Sequence, residues 1–248
     1  MTIAFEYTPL FPVAFTPGNA ISVFAFVLIC IGILFAFIGA ISFTTPAPAK
    51  GGNLVIRSTT LIGIYCVGIA YIVYSGWLER FFIPLGPLFL LGTVSIATGI
   101  GFTRLGRNLA IGLPLAWLVG FQGFRLPLEI ILHDWYVSGT IPETMTWSGS
   151  NWDIATGLLA CVVFPFVEKQ RWLAWLVNVV GMILLINVGR VAIMSSPVPF
   201  GWKVDPPLEL ILYLPYVYIV PLCVGGASLG HVLLTRKLLL GEREQHRS

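Results

Sequence analysis

The sequence has few charged residues: only 10% of its 248 residues are Asp, Glu, Lys or Arg, whereas 57% are hydrophobic. A soluble domain normally carries about 25% charged residues, which it needs to cover a surface that faces water. So small a charged fraction indicates that this protein faces lipid, and the lipid bilayer is its first expected partner. The high hydrophobic content also excludes an intrinsically disordered chain.

Several familiar signals are missing as well. The net charge is only +3 and the basic residues are not clustered, which argues against nucleic acid as a partner. The first 20 residues contain no Lys or Arg, so we expect no cleavable signal peptide. The four cysteines lie in four different apolar runs and form no CxxC motif, so we expect no disulfide: Cys30, Cys66, Cys161 and Cys223.

The histidines do not predict a metal or a haem. His133 is expected at the outer end of its membrane span, and His231 near the inner end of the last span. Their separation would then approach the bilayer thickness of roughly 30 Å, so they could not share a ligand. The sequence therefore predicts no metal and no cofactor.

Long apolar runs dominate what is present. A helix needs about 20 mostly apolar residues to cross the hydrocarbon, and seven stretches approach or exceed that length: 20–43, 60–77, 84–102, 109–132, 151–167, 172–194 and 208–234. We predict an all-α fold, a polytopic membrane helix bundle of about seven transmembrane helices that forms a single domain over residues 1–248. Gly226 and Gly230, four residues apart, predict close packing of the last span on a neighbour.

The basic residues predict the orientation. If the seven spans alternate in direction, ten basic residues fall on one side and two, Arg80 and Lys203, on the other. Loops rich in Lys and Arg stay in the cytoplasm, so the N-terminus is predicted outside and the C-terminus in the cytoplasm. The ten residues of the cytoplasmic side are Lys50, Arg57, Arg104, Arg107, Lys169, Arg171, Arg236, Lys237, Arg243 and Arg247.

The fourth span carries a polar face. Gln122, Arg125, Glu129 and His133 follow one another at steps of three, four and four residues, which puts all four on one side of a helix. Ionisable residues inside a membrane are costly and usually have a partner. We therefore expect Arg125 and Glu129, at positions i and i+4, to neutralise each other.

Further polar residues start or end the neighbouring spans: Asn151, Asp153, Asn187, Arg190, Glu209 and Tyr213. With the predicted orientation they share the outer half of the membrane with the fourth span's polar face. We expect Arg190 to pair with Asp153 or Glu209, and all of these groups to line a pocket open to the outside. The segment 147–151 is interpreted as a turn in which Ser150 or Asn151 caps the fifth span, with a binding loop as the less favoured alternative.

One stretch of the sequence resembles a known family. Residues 124–157 read FRLPLEIILHDWYVSGTIPETMTWSGSNWDIATG and resemble a segment of uncharacterised bacterial multi-pass membrane proteins, with Phe-Arg-x-Pro-x-Glu, then His, then Met-Thr, Gly, Asn and Asp-Ile. The sequence around Gly230-His231 is similar too. The resemblance implies a bacterial inner membrane and points to Arg125, Glu129, His133, Asn151 and Asp153, but it brings no activity.

Three classes of function remain open. The first is binding or transport of a small polar or anionic solute, with Arg125 and Arg190 as anion anchors. The second is an intramembrane enzyme acting on a lipid or quinone, with Glu129 or His133 as acid or base. The third is an accessory subunit of a larger membrane complex, whose charges only fix packing. Broken helices around the site would favour transport, and a pocket filled by the protein's own side chains would favour the subunit.

Overall fold

The computed structural model describes the backbone of residues 15–45 and 51–245 and the side chains of residues 15–45 and 54–240. All regular elements in these ranges are helical. Lys50 and Arg247, which the prediction of orientation uses, lie outside the described residues. The α-helices are α1 Ala20–Thr44, α2 Gly51–Tyr74, α3 Trp77–Arg80, α4 Phe82–Phe102, α5 Arg104–Gly112, α6 Leu115–Phe121, α7 Arg125–Val137, α8 Ile154–Val163, α9 Arg171–Ser195 and α10 Gly225–Gln245.

Six helical segments of the described chain are long and apolar enough to cross a membrane: Ala20–Thr44, Leu54–Tyr74, Phe82–Phe102, Leu115–Val137, Arg171–Ser195 and Tyr216–Leu240. The all-helical fold class is thus confirmed, and the six segments are compatible with a multi-pass membrane protein. They correspond to the predicted spans one to four, six and seven, with shifted ends.

The fourth span differs most clearly from its predicted bounds of 109–132. It begins at Leu115 and ends at Val137, because residues 104–112 form the separate helix α5. The chain turns between the two helices at Leu113 and Pro114, which have extended ψ angles of 141° and 148°. A residue that precedes proline is driven out of the helical region, so Pro114 ends α5 and starts α6.

The fifth predicted span, 151–167, contains only a short α-helix. Helix α8 has 10 residues, or about 15 Å at 1.5 Å per residue, which is half of a hydrocarbon thickness of about 30 Å. The residues before it form a loop, 138–153, in which Ile141 and Met145 are buried against α7 and α9. This loop therefore packs inside the bundle.

Hydrogen bonds show which helix ends lie together. At one end, here called the basic end, Lys237 donates to the carbonyls of Ala110 and Ile111, and Ala116 donates to Glu168. At the other end, here called the loop end, Asn19 donates to Asp134. Three further hydrogen bonds lie at the loop end and bring the end of α9 and the start of the last segment there. They join Thr144 to Ser195, Leu208 to Ser195, and Gly18 to Tyr216.

The last segment is the centre of the bundle. In its most apolar window 72% of the residues are buried, compared with 6% for Leu54–Tyr74, whose side chains face outwards as expected for lipid contact. The predicted close packing at the two glycines is confirmed. A β-carbon at Gly230 would lie 2.5 Å from Gln122 Nε2, and one at Gly226 would lie 3.3 Å from Ile33 Cγ2.

Candidate functional site

Arg125 lies at the centre of a buried polar network. Its side chain is 1% exposed, and its Nε lies 2.7 Å from Asp153 Oδ2, the one ion pair found among the described residues. Its Nη1 donates to the Gly181 carbonyl at 3.4 Å and lies 3.2 Å from His231 Nε2. The predicted pairing of Arg125 with Glu129 is therefore wrong: the loop before α8 returns into the bundle and brings Asp153 to the guanidinium.

Glu129 is paired with an uncharged amide. Asn151 Nδ2 lies 2.9 Å and 3.1 Å from the two Glu129 carboxyl oxygens and also donates to the Met145 carbonyl at 3.1 Å. Asn151 Oδ1 accepts from the backbone N–H of Asp153. Neither Ser150 nor Asn151 caps a helix, since α8 begins only at Ile154. Asn151 instead fixes the returning loop onto α7. The predicted turn is confirmed at residues 147–150, whereas the predicted cap at Ser150 or Asn151 is wrong.

His231 belongs to the same network, which the sequence analysis missed. Asn178 Nδ2 donates to Thr235 Oγ1 at 2.7 Å, so its Oδ1 faces His231 Nδ1 at 3.0 Å. Nδ1 must then carry the hydrogen, and Nε2 is left to accept from the Arg125 guanidinium, which has only donors. His231 is thus held as the neutral imidazole. Its position in the last apolar run was itself a signal, since intramembrane ionisable residues are rare.

His231 was missed because its depth was misjudged. The predicted fourth span of 109–132 put Arg125 towards the outer end, whereas the observed segment Leu115–Val137 has Arg125 near its middle. The last segment likewise runs from Tyr216 to Leu240 rather than from 208 to 234, which moves His231 away from the inner end. The two residues therefore meet at one depth.

Two polar atoms at the centre of the bundle have no partner among the described residues. Arg125 Nη2 and Gln122 Oε1 are both buried and unbonded, although Gln122 Nε2 donates to the Ala227 carbonyl at 3.4 Å. An unsatisfied buried donor or acceptor costs about 1–3 kcal/mol. Each such group in a native fold therefore calls for an explanation, of which a ligand is one.

The remaining predicted residues lie towards the loop end. His133 stacks on Trp147 with ring centroids 4.3 Å apart, and Tyr213 stacks on Phe15 at 3.8 Å. Asn187 donates to the Ser150 carbonyl at 2.7 Å. These contacts join loops to helices. Burial, and then the nearby Glu79 carboxylate, raise the pKa of Glu209 to about 7.

Arg190 does not form the predicted ion pair. Its side chain is exposed, donates to Asn187 Oδ1 at 2.9 Å and lies over the Trp202 ring at 5.5 Å. The predicted pairing with Asp153 or Glu209 is wrong. Asp153 forms its ion pair with Arg125 instead. Of the ten predicted site residues, five come together in the bundle: Gln122, Arg125, Glu129, Asn151 and Asp153.

An apolar cavity adjoins the network. The space that a water-sized molecule can enter is about 80 Å³, within about 950 Å³ of space between atoms that includes the open surroundings. Its walls come from α4, α7, α9 and the segment 208–227. Side chains such as Leu90, Leu128 and Val188 line most of it, whereas Arg125, Glu129 and Asp153 supply its charged part. The sequence predicted a polar pocket here; the observed walls are mainly apolar.

The fold and this site fit the class of polytopic helical membrane proteins that hold a buried charge network beside an apolar cavity. The chain belongs to the family described as a domain of unknown function, DUF8737, whose model matches residues 85–239. That range includes the whole network and most of the cavity wall. Neither a curated protein nor a solved structure matches the chain significantly.

Proposed function

We propose that this protein binds an amphiphilic small molecule from the membrane, whose apolar body fills the cavity and whose oxygen accepts a hydrogen bond from Arg125. The observation that carries the proposal is the buried, unbonded Nη2 of Arg125, a residue on the wall of a mainly apolar cavity. Small-molecule sites are typically apolar pockets with a few placed polar groups. A ligand oxygen at Nη2 would remove the cost of an unmet donor.

The other two expected classes have less support. An accessory subunit, whose charges only fix packing, would fill this space with its own side chains, whereas about 80 Å³ beside the network stays accessible to a water-sized molecule. A small polar solute would leave most of the apolar wall unmatched. An enzyme that acts on such an amphiphile would use the same cavity, with Glu129 as its acid or base, and stays a prediction.

Transport of the ligand is a second candidate, because the α-helical geometry is interrupted in the two segments that carry the site. A 3₁₀ turn at Gln122–Phe124 interrupts the fourth span directly before Arg125. A π turn at Val220–Val224 lies on the cavity wall and precedes α10. Interrupted helices surround the binding sites of many transporters, and π turns are frequent at functional sites.

We further propose seven crossings, with the N-terminus outside and the C-terminus in the cytoplasm of a bacterial inner membrane. The contacts at the two ends support it. Helix α7 ends at Val137 near the loop end, Glu168 after α8 lies at the basic end, and α9 ends at Ser195 at the loop end again. Loop 138–153 together with the 10 residues of α8 would make the fifth crossing. The excess of Lys and Arg at the basic end supports the cytoplasmic assignment.

Native mass spectrometry of the detergent-purified protein, followed by extraction and identification of what is bound, tests the binding proposal. Gly189 lines the cavity on α9, and Gly63 lies on the exposed side of α2; a β-carbon at either glycine meets none of the described atoms within 4 Å. Gly189→Phe should fill the cavity and lose the bound amphiphile, whereas Gly63→Phe should retain it. Equal amounts bound to both variants would overturn the proposal, as would a parent protein that purifies without any amphiphile.

A further inference from the structure

We infer that the polar group of the ligand is uncharged: a carbonyl, ester, amide or hydroxyl oxygen rather than a carboxylate, sulfonate or phosphate. This inference rests on the proposed binding of an amphiphile and specifies its chemistry. The sequence alone favoured an anion with Arg125 as its anchor. The charges placed around the cavity argue for the opposite preference.

The positive charge of Arg125 is already compensated. Asp153 lies 2.7 Å from its Nε, and Glu129 lines the same cavity with only the neutral amide of Asn151 as its hydrogen-bond donor. His231 accepts from Arg125 and is therefore neutral. Arg125 is the one Lys or Arg on the described cavity wall. Whatever the protonation state of Glu129, the site has no surplus positive charge.

An anion in this cavity would meet a carboxylate without a free counter-charge. Removing an ion from water costs several kcal/mol even after the protein relaxes, and only a well-placed opposite charge repays it. Here that opposite charge belongs to Asp153. A carbonyl or hydroxyl oxygen can accept from the N–H donors of Arg125 Nη2, two of which are left over, without bringing a further charge into the site. The free donor thus suits a neutral acceptor.

The depth of the site gives a second, independent argument. Arg125 lies near the middle of the segment Leu115–Val137, so a group that touches it lies near the middle of the hydrocarbon. Charged groups are costly at that depth, and lipid headgroups stay at the interface. An amphiphile with an uncharged oxygen on an apolar body can reach the middle of the membrane without that cost.

A matched pair of ligands tests the inference. Delipidated parent protein is titrated with hexadecan-2-one and with hexadecane-1-sulfonate, which have the same chain length but differ in charge at every pH used. We expect the ketone to bind at least tenfold more tightly, measured by native mass spectrometry and by the rise in Tm. Equal or tighter binding of the sulfonate would overturn the uncharged ligand while leaving amphiphile binding intact. If the parent binds neither probe, or if Gly189→Phe binds as well as the parent, the proposed function itself fails.

A charge variant makes the test specific to the site. Asp153→Asn leaves Arg125 with a surplus positive charge, so the preference should shift towards the sulfonate by at least tenfold. Glu143→Gln removes an exposed carboxylate that is not on the cavity wall and should leave the preference unchanged. An Asp153→Asn protein that folds and still prefers the ketone to the same degree would contradict the charge argument. If that variant does not fold, the comparison on the parent protein decides.

Discussion

At the scale of single residues, the guanidinium of Arg125 combines functions that no other side chain could combine. Nε pairs with Asp153, Nη1 donates to the Gly181 carbonyl and to His231, and Nη2 has no partner among the described residues. A lysine carries a single ammonium and cannot present these donors in one fixed plane. The planar fork therefore explains how one buried arginine can bind three groups of the bundle and still keep a donor without a partner among the described residues.

The two carboxyl groups of the site should differ in their effect on stability. Asp153→Asn leaves the Arg125 charge buried without its partner, and breaking a buried ion pair typically costs about 3–5 kcal/mol. Glu129→Gln keeps a carbonyl that can accept from Asn151, so the loss should be no more than about 1 kcal/mol. Thermal unfolding in one detergent measures both variants. Similar losses of Tm would contradict the assignment of Asp153 as the partner of Arg125.

Glu209 should make stability depend on pH. Burial raises its pKa from 4.5 to about 7 in the folded protein, so the folded state binds the proton more tightly than the unfolded state does. Its stabilising effect is present below about pH 4.5 and is lost as the pH rises towards 7. The Tm of the parent should therefore fall across this window. Glu209→Gln should flatten that fall, and an unchanged pH profile in this variant would show that another group causes it.

At the scale of elements, α9 must approach the network closely at one glycine. A β-carbon at Gly181 would lie 2.4 Å from His231 Cε1 and 2.8 Å from Thr156 Cγ2, whereas one at Gly189 on the same helix meets nothing within 4 Å among the described residues. Gly181→Ala should therefore displace the imidazole and destabilise the protein by about 1–3 kcal/mol.

Gly189→Ala is the matched control for this helix. Alanine is favoured over glycine in a helix interior by about 1 kcal/mol, so the control should be neutral or slightly stabilising. Both variants are compared with the parent by thermal unfolding in detergent. Equal Tm values for the two alanine variants would show that α9 can move away from His231 and that the contact is not required.

The elements also show what the sequence could predict. The register of Gln122, Arg125 and Glu129 follows from helical spacing, and the apolar runs locate six membrane-length helices. The hydrogen-bond partners of these polar residues depend on how distant parts of the chain pack together. The spacing of residues in a single sequence does not reveal that packing. Loop 138–153 reads as polar, yet it folds back so that Asn151 meets Glu129 and Asp153 meets Arg125.

At the scale of the whole molecule, the network joins elements that are far apart in sequence. Arg125 is bonded to Asp153, to Gly181 on α9 and to His231 on α10, and these three groups arrive from separate passages of the chain. A cavity beside such a junction is rigid on its charged side.

Two surface lysines distinguish seven crossings from six. Lys169 follows α8 and Lys203 follows α9, and both are exposed. With seven crossings and an external N-terminus, Lys203 lies outside and Lys169 in the cytoplasm; if the stretch 138–169 did not cross, the two would be exchanged. Lys203→Cys and Lys169→Cys are introduced singly after Cys30, Cys66, Cys161 and Cys223 are replaced by serine or alanine. In intact cells a membrane-impermeant maleimide should label position 203 only, and position 169 only after permeabilisation. The reverse pattern would contradict the proposed topology: either α8 and its loop enter the membrane without crossing it, or all seven crossings run in the opposite direction. In both cases the C-terminus would lie outside.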